Sequence, residues 1–211
     1  MKFLNLDRAL CLSPHPDDVE YSMSATIKKY QDTLFDVFCL SNGTSTDTTS
    51  TSKRINEVKE FWKTWTVENV NLFFSHHQTL DEFNEAQLIT YIEDLTIKKN
   101  NYQMLFVPSA EDSHFEHRLI SGIASSLSRH RPLSIFEYRC SSTLHNWIPN
   151  LFIDVDDLYA EKIKLLRAAF ISQIDSLYFK DNILQLFHND FISNKKADAC
   201  REIFKAKTVY L

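Results

Sequence analysis

The strongest constraint on this chain is its punctuation. Short apolar runs stop at proline or at a polar loop, and each is followed by a stretch with helical spacing. Ala9-Leu10-Cys11-Leu12 ends at Ser13-Pro14 and reads as a buried strand. Residues 18–31 then suit a helix. Leu34 to Leu40 reads as a second strand, and Ser41 to Ser52 as a long polar loop around Gly43. Residues 53–66 carry Ile55, Val58, Phe61, Trp62 and Trp65 on one helical face. A third strand is expected over Val70–Phe74, then a helix with Leu88, Tyr91, Ile92 and Leu95 on one side. Met104 to Val107 predicts a fourth strand, ended by Pro108. Another helix is expected over 114–130, and further strands over Ser134–Tyr138 and Leu151–Ile153. From Asp156 onward the pattern is helical, with breaks near Phe179 and Asn194.

Strands alternating with helices predict an α/β fold: a Rossmann-like, mostly parallel sheet with helices on both faces. Ligands of such sheets bind beyond the carboxyl ends of the strands, which is where an active site is expected. No linker, repeat or low-complexity tract interrupts the 211 residues, so one domain over 1–211 is expected. Glycine occurs only twice, at Gly43 and Gly122, where an average chain of this length holds roughly 15. Glycine-rich phosphate loops and dinucleotide turns are therefore excluded, and the chemistry must rest on side chains. Gly43 falls in an expected cleft loop, where a missing side chain lets substrate or backbone approach. Gly122 falls inside a helix, which predicts close packing of that helix on the sheet.

The formal charge of −5 offers no electrostatic footprint for nucleic acid or an anionic membrane. Cys11, Cys39, Cys140 and Cys200 form no C-x-x-C pair and read as buried free thiols of a reducing compartment. Polar Asn5, Asp7 and Arg8 interrupt any leader-like apolar region, and no apolar run approaches the ~18 residues of a membrane span. A cytoplasmic location is expected. The apolar late segment, 156–205, would serve either a homo-oligomer or the domain's own sheet.

Three segments sit where strands should end: His15-Pro16-Asp17-Asp18-Val19-Glu20, the loop around Gly43, and Glu111-Asp112-Ser113-His114-Phe115-Glu116-His117. A parallel sheet brings these tips to one edge. Imidazole and carboxylate ligands in a tight cluster suit zinc. A catalytic zinc takes three protein ligands and leaves a place for water, whose pKa it lowers toward ~7. His15, His117 and one of the adjacent acids Asp17 and Asp18 would fill that set, leaving the other acid to take a proton. His114, three residues before His117, would share its side of a helix start and stabilise an oxyanion or donate a proton. Each segment alone has a plainer reading. Asp is a common helix N-cap, and Ser113-x-x-Glu116 fits a capping box. His76-His77 reads as loop; His130, His145 and His188 read as structural. Trp147 and the tyrosines are candidates to stack on a sugar face or to fill the core.

In their combination, His15-Pro16-Asp17-Asp18-Val19-Glu20 and His114-Phe115-Glu116-His117 resemble the two signatures of the LmbE/PIG-L family of zinc-dependent N-deacetylases. Gly43, Arg54-x-x-Glu57, Lys162, Ser172-Gln173 and Glu202-Ile203-Phe204 are weaker echoes along most of the chain. The resemblance implies one Zn2+ per chain held by His15, Asp18 and His117, with Asp17 as general base. It implies His114 as stabiliser of the tetrahedral intermediate, Glu116 as the acid that orients it, and Gly43 and Arg54 at the substrate. The expected reaction is removal of an N-acetyl or N-acyl group from an amino sugar or glycoconjugate by metal-bound water. The competing expectations are a non-catalytic sugar- or metal-binding module, and a metal hydrolase of another substrate class such as phosphoesters, which commonly uses two metals.

Overall fold

The computed structural model describes residues 7–43, 48–129, 131–188 and 199–210. The elements run β1 (Arg8–Ser13), α1 (Asp18–Lys29), β2 (Leu34–Cys39), α2 (Thr48–Thr64), β3 (Val70–Phe74), α3 (Glu85–Ile92), β4 (Met104–Pro108), α4 (Phe115–Leu127), β5 (Ser134–Tyr138), β6 (Leu151–Asp154), α5 (Asp156–Ala169), α6 (Asp181–His188) and β7 (Arg201–Thr208). The seven strands form one mixed sheet in the order β3-β2-β1-β4-β5-β7-β6. The five strands β1 to β5 pair in parallel, and β7 runs antiparallel to β5 and β6. This is the mostly parallel α/β sheet that the alternation predicts.

Successive strand residues point to opposite faces, and both faces are covered. On one, Ala9, Cys11, Phe35 and Phe106 meet Val19 of α1, Phe61 and Trp65 of α2 and Leu166 of α5. On the other, Leu10, Leu12, Leu105 and Val107 meet Leu88 and Ile92 of α3 and Ile120 and Ala124 of α4. Burial on both sides explains why β1 and β4 read as continuous apolar runs. The chain leaves β1 toward β2 and β3, then crosses to β4 on β1's other side. That reversal opens a crevice beyond the carboxyl ends of β1 and β4. No helix among the described residues is long and apolar enough to cross a membrane. The four cysteines are buried and outside any disulfide.

Four local expectations are corrected. Helix α2 starts at Thr48, inside the stretch expected to be loop. Serine and threonine are only modestly unfavourable in helices, and the buried stripe that follows carries the helix upstream through them. Residues 44–47 of that loop lie outside the described residues, as do His130, Asn194 and the side chain of His188. Leu95 does not share the buried side of Leu88 and Ile92; it is exposed. After Ile92 the helix widens into a π-turn over Glu93–Ile97, with Lys98 N–H donating to Glu93 five residues back, and the change of pitch rotates Leu95 outward. At Gly122 an added Cβ would meet nothing within 4 Å, so close packing does not explain that glycine. Finally, 201–208 is strand β7, not helix. Its inward face alternates Glu202 and Phe204, and a buried glutamate hides the period of two.

Candidate metal centre and catalytic cavity

The turn after β1 is held from several sides. Asp17, the N-cap of α1, has φ 115°, a left-handed conformation that costs a non-glycine residue of order 1–3 kcal/mol. Its N–H donates to Glu20 Oε2 (3.2 Å), while Trp62 Nε1 donates to Glu20 Oε1 (2.6 Å). Arg54, at the start of α2's buried face, donates to the Gly43 carbonyl (2.7 Å), the Pro16 carbonyl (2.7 Å) and Asp17 Oδ2 (3.0 Å). Tyr178 hydroxyl lies 3.4 Å from the same Asp17 oxygen and 2.6 Å from Gln173 Oε1. Gly43 has φ +63°, and a Cβ there would collide with the Arg54 guanidinium. The glycine therefore makes room for the arginine that grips Asp17.

The second wall is the start of α4. His114 is its N-cap, in place of the Ser113–Glu116 capping box: His114 Nδ1 accepts the Glu116 N–H (3.3 Å). In neutral His114 the ring proton then sits on Nε2. The Glu116 carboxylate turns elsewhere, to a short contact with His15 Nε2 and to the Leu80 N–H (2.5 Å). Residue 116 thus orients His114 through its backbone amide and braces His15 with its side chain.

His15, Asp18 and His117 converge. His15 Nδ1 is 3.2 Å from Asp18 Oδ2 and 3.3 Å from His117 Nε2, which is 3.3 Å from Asp18 Oδ1. Tetrahedral zinc with bonds of about 2.0–2.2 Å separates its ligand atoms by about 3.3–3.6 Å, so these residues fit a zinc ion. Two overlapping groups, His15–His114–His117 and Asp18–His117–Cys140, have ligand atoms within 4.8 Å of one another.

Electrostatics separates the two adjacent acids. Burial pushes the Asp17 carboxyl up to about 6, against the pull of Arg54. Burial acts on Asp18 too, but His117 and His15 hold its carboxyl well below the usual range. Burial would lower His15, yet Asp18 and Glu116 bring it to about 9. His117 is likewise raised: burial opposes this, and Asp18 and Cys140 overcome it. The carboxylates thus favour positive charge between them, which a metal cation held by His15, Asp18 and His117 would supply in place of the protons. His114 is lowered by burial and by its two histidine neighbours.

A cavity of about 640 Å³ opens over this cluster; Asp17, Gly43, Arg54, His114, Phe115 and Tyr178 are among its walls. The structure therefore brings together every expected site residue: His15, Asp17, Asp18, Gly43, Arg54, His114, Glu116 and His117 all line it. Trp147 does not; it is buried and donates to Glu137 Oε2 (3.0 Å). His76 and His77 stay in the loop after β3, where His77 packs on Phe83 and Tyr91. His145 is exposed. Sequence reasoning missed Tyr178, Gln173 as a cavity wall, and Asp112. Tyr178 reaches the site because Glu57 of α2 accepts the Ser172 N–H (2.8 Å) and hydroxyl (2.5 Å). Arg54-x-x-Glu57 and Ser172-Gln173 stood in the sequence only as separate family echoes, with no contact between them expected.

Comparison with known proteins agrees with this fold. No curated protein sequence matches the chain. Among solved structures, N,N'-diacetylchitobiose deacetylase from Pyrococcus horikoshii superposes with a TM-score of 0.75 at 20% identity, over 95% of this chain and 84% of that one. A zinc-inhibited form of teicoplanin deacetylase gives 0.70 at 12% identity, over 93% and 97%. The 4-carboxy-2-hydroxymuconate hydratase of Pseudomonas putida gives 0.67 at 12% identity, over 98% of both chains. At these identities the likeness establishes the fold. The family model described as PIG-L, GlcNAc-PI de-N-acetylase, matches residues 10–128, more than half of the chain and both histidine-bearing segments, and the chain belongs to that family.

Proposed function

We propose that this chain is a zinc-dependent N-deacetylase that removes an N-acetyl or other N-acyl group from an amino sugar or glycoconjugate. The observation that carries the reading is the convergence of His15 Nδ1 and His117 Nε2 on the Asp18 carboxylate, one nitrogen on each oxygen, with Asp17 and His114 on the same cavity. Zinc held there supplies a Lewis acid for the amide carbonyl and lowers the pKa of water. Asp17 accepts the proton of the attacking water through its carboxylate, which Arg54 steadies at the other oxygen, Oδ2. His114 donates from Nε2 to the carbonyl oxygen as it gains charge, its tautomer set by the Glu116 amide. The collapsing intermediate releases the acid, and the amine leaves with a proton from Asp17 or His114. Arg54 and Gly43 form the wall nearest Asp17, where the sugar side of the amide rests. The cavity volume of about 640 Å³ leaves room beyond a single amino sugar for an attached group. The family description and the deacetylases among the structural neighbours support this substrate class.

A hydratase shares the fold, so the test must read the reaction itself. The whole chain, given one equivalent of zinc, is incubated with N-acetylated amino sugars, their disaccharides and lipid-linked forms, and with phosphoesters. Acetate release that stops with a chelator and returns with zinc is expected. Stoichiometric zinc without product from any compound would make the chain a binding module. Phosphate release would make it a phosphoesterase.

A further inference from the structure

The two histidines facing Asp18 each back onto a buried carboxylate. Behind His15 stands Glu116. Behind His117 stands Asp112, whose Oδ2 is 3.2 Å from His117 Nδ1 and whose side chain is 0% exposed. Ser142 Oγ lies 3.2 Å from the same nitrogen. Asp112 has two further partners: Oδ1 accepts the His114 N–H (2.7 Å) and Oδ2 accepts from Thr143 Oγ1 (3.1 Å).

We infer that Asp112 is a positioning residue, and that its carboxylate fixes His117 as the Nδ1-protonated tautomer with Nε2 turned to Asp18 and the metal. By the same carboxylate it holds the backbone of His114, so one acid sets the geometry of both α4 histidines. The inference rests on the reading of His117 as a zinc ligand. Outer carboxylates of this kind fix the ring and raise its basicity. A loop pin alone would need only the contacts to His114 N–H and Thr143, which an asparagine at 112 can still make. The contact to His117 differs. An asparagine presenting its NH2 to Nδ1 would favour the opposite tautomer and leave the proton on Nε2, where the metal binds.

The test is zinc affinity, measured on the whole chain by competition with a chromogenic chelator at fixed pH. Asp112→Asn is expected to bind zinc roughly 10–100-fold more weakly than wild type, with its thermal midpoint little changed. Ser113→Ala, which removes the bond from Ser113 Oγ to the Ser142 carbonyl (3.1 Å) in the same loop and touches neither the Asp112 carboxylate nor His117, is expected to stay within about twofold. Asp112→Asn within twofold of wild type overturns the inference, and so does an equal loss in Ser113→Ala. If wild type itself binds no zinc, the ligand reading fails before the variants are compared. Should Asp112→Asn not fold, nitrogen-15 NMR of zinc-loaded wild type decides. An Nδ1 proton of His117 shifted downfield, as hydrogen bonding to a carboxylate makes it, supports the inference, and an Nδ1 proton at an unperturbed shift overturns it.

Discussion

Helix α1 carries a buried charge cluster at its amino end and another in its middle, and the two differ in where their partners come from. In the middle, Glu202 of β7 accepts from Lys162 Nζ (2.5 Å) and from the N–H groups of Ala25 (3.0 Å) and Thr26 (2.6 Å). Lys162 and Glu202 are fully buried, and burial pulls the ammonium pKa down. The chain supplies the opposite charge and the remaining donors, so the cluster ties α1, α5 and β7 together. At the amino end, Asp18 faces two imidazole nitrogens that also face each other at 3.3 Å. Those groups converge on a point beside a cavity. Buried charge that the chain completes serves the fold, and buried charge that converges on a cavity serves chemistry.

The sharpest break in this comparison is Asp17→Asn. It removes the proposed proton acceptor and leaves His15, Asp18 and His117 in place. Turnover is expected to fall ~10²–10⁴-fold, while elemental analysis still finds one zinc per chain. Full turnover in the zinc-loaded variant would show that the amino-end cluster does not use Asp17 as its base. Next in size is Lys162→Met, which strands Glu202 without its counter-charge. A loss of about 3–5 kcal/mol is expected by urea unfolding, with zinc affinity unchanged. A drop in zinc affinity instead would mean that the two clusters on α1 are coupled. The smallest effect belongs to Gly122→Ala on α4. With open space around the site, the substitution is expected to raise stability by about 0.5–1 kcal/mol. A loss in a thermal scan would mean that close packing holds there after all.

Much of the site was legible because metal chemistry restricts residue types. His15, Asp17, Asp18 and His117 stand out wherever they are placed, and the strand ends before them explain how they meet. Partnerships across long separations were not legible. Tyr178 belongs to no local pattern and reaches the site through contacts more than a hundred residues away in sequence; Asp112 lies five residues before His117, and only the fold of the loop shows that its carboxylate turns back onto that ring. The resemblance pointed to residue 116 behind His114; folding put its amide there and its carboxylate behind His15. Strand β7 was misread for the same kind of reason, since a glutamate on an inward face makes sense only once Lys162 is beside it.

From residue order alone follow the mostly parallel sheet, the exclusion of glycine-cradled phosphate chemistry and the candidacy of His and Asp as the working groups. These are consequences of periodicity and of side-chain chemistry, which act over a few residues. Folding alone decided which acid is held ionised and which is pushed toward neutrality, which nitrogen of His15 and of His117 faces Asp18, and why position 43 favours glycine. Those outcomes depend on burial, on hydrogen bonds within about 3.5 Å and on steric room, and a linear sequence carries none of the three-dimensional distances that set them.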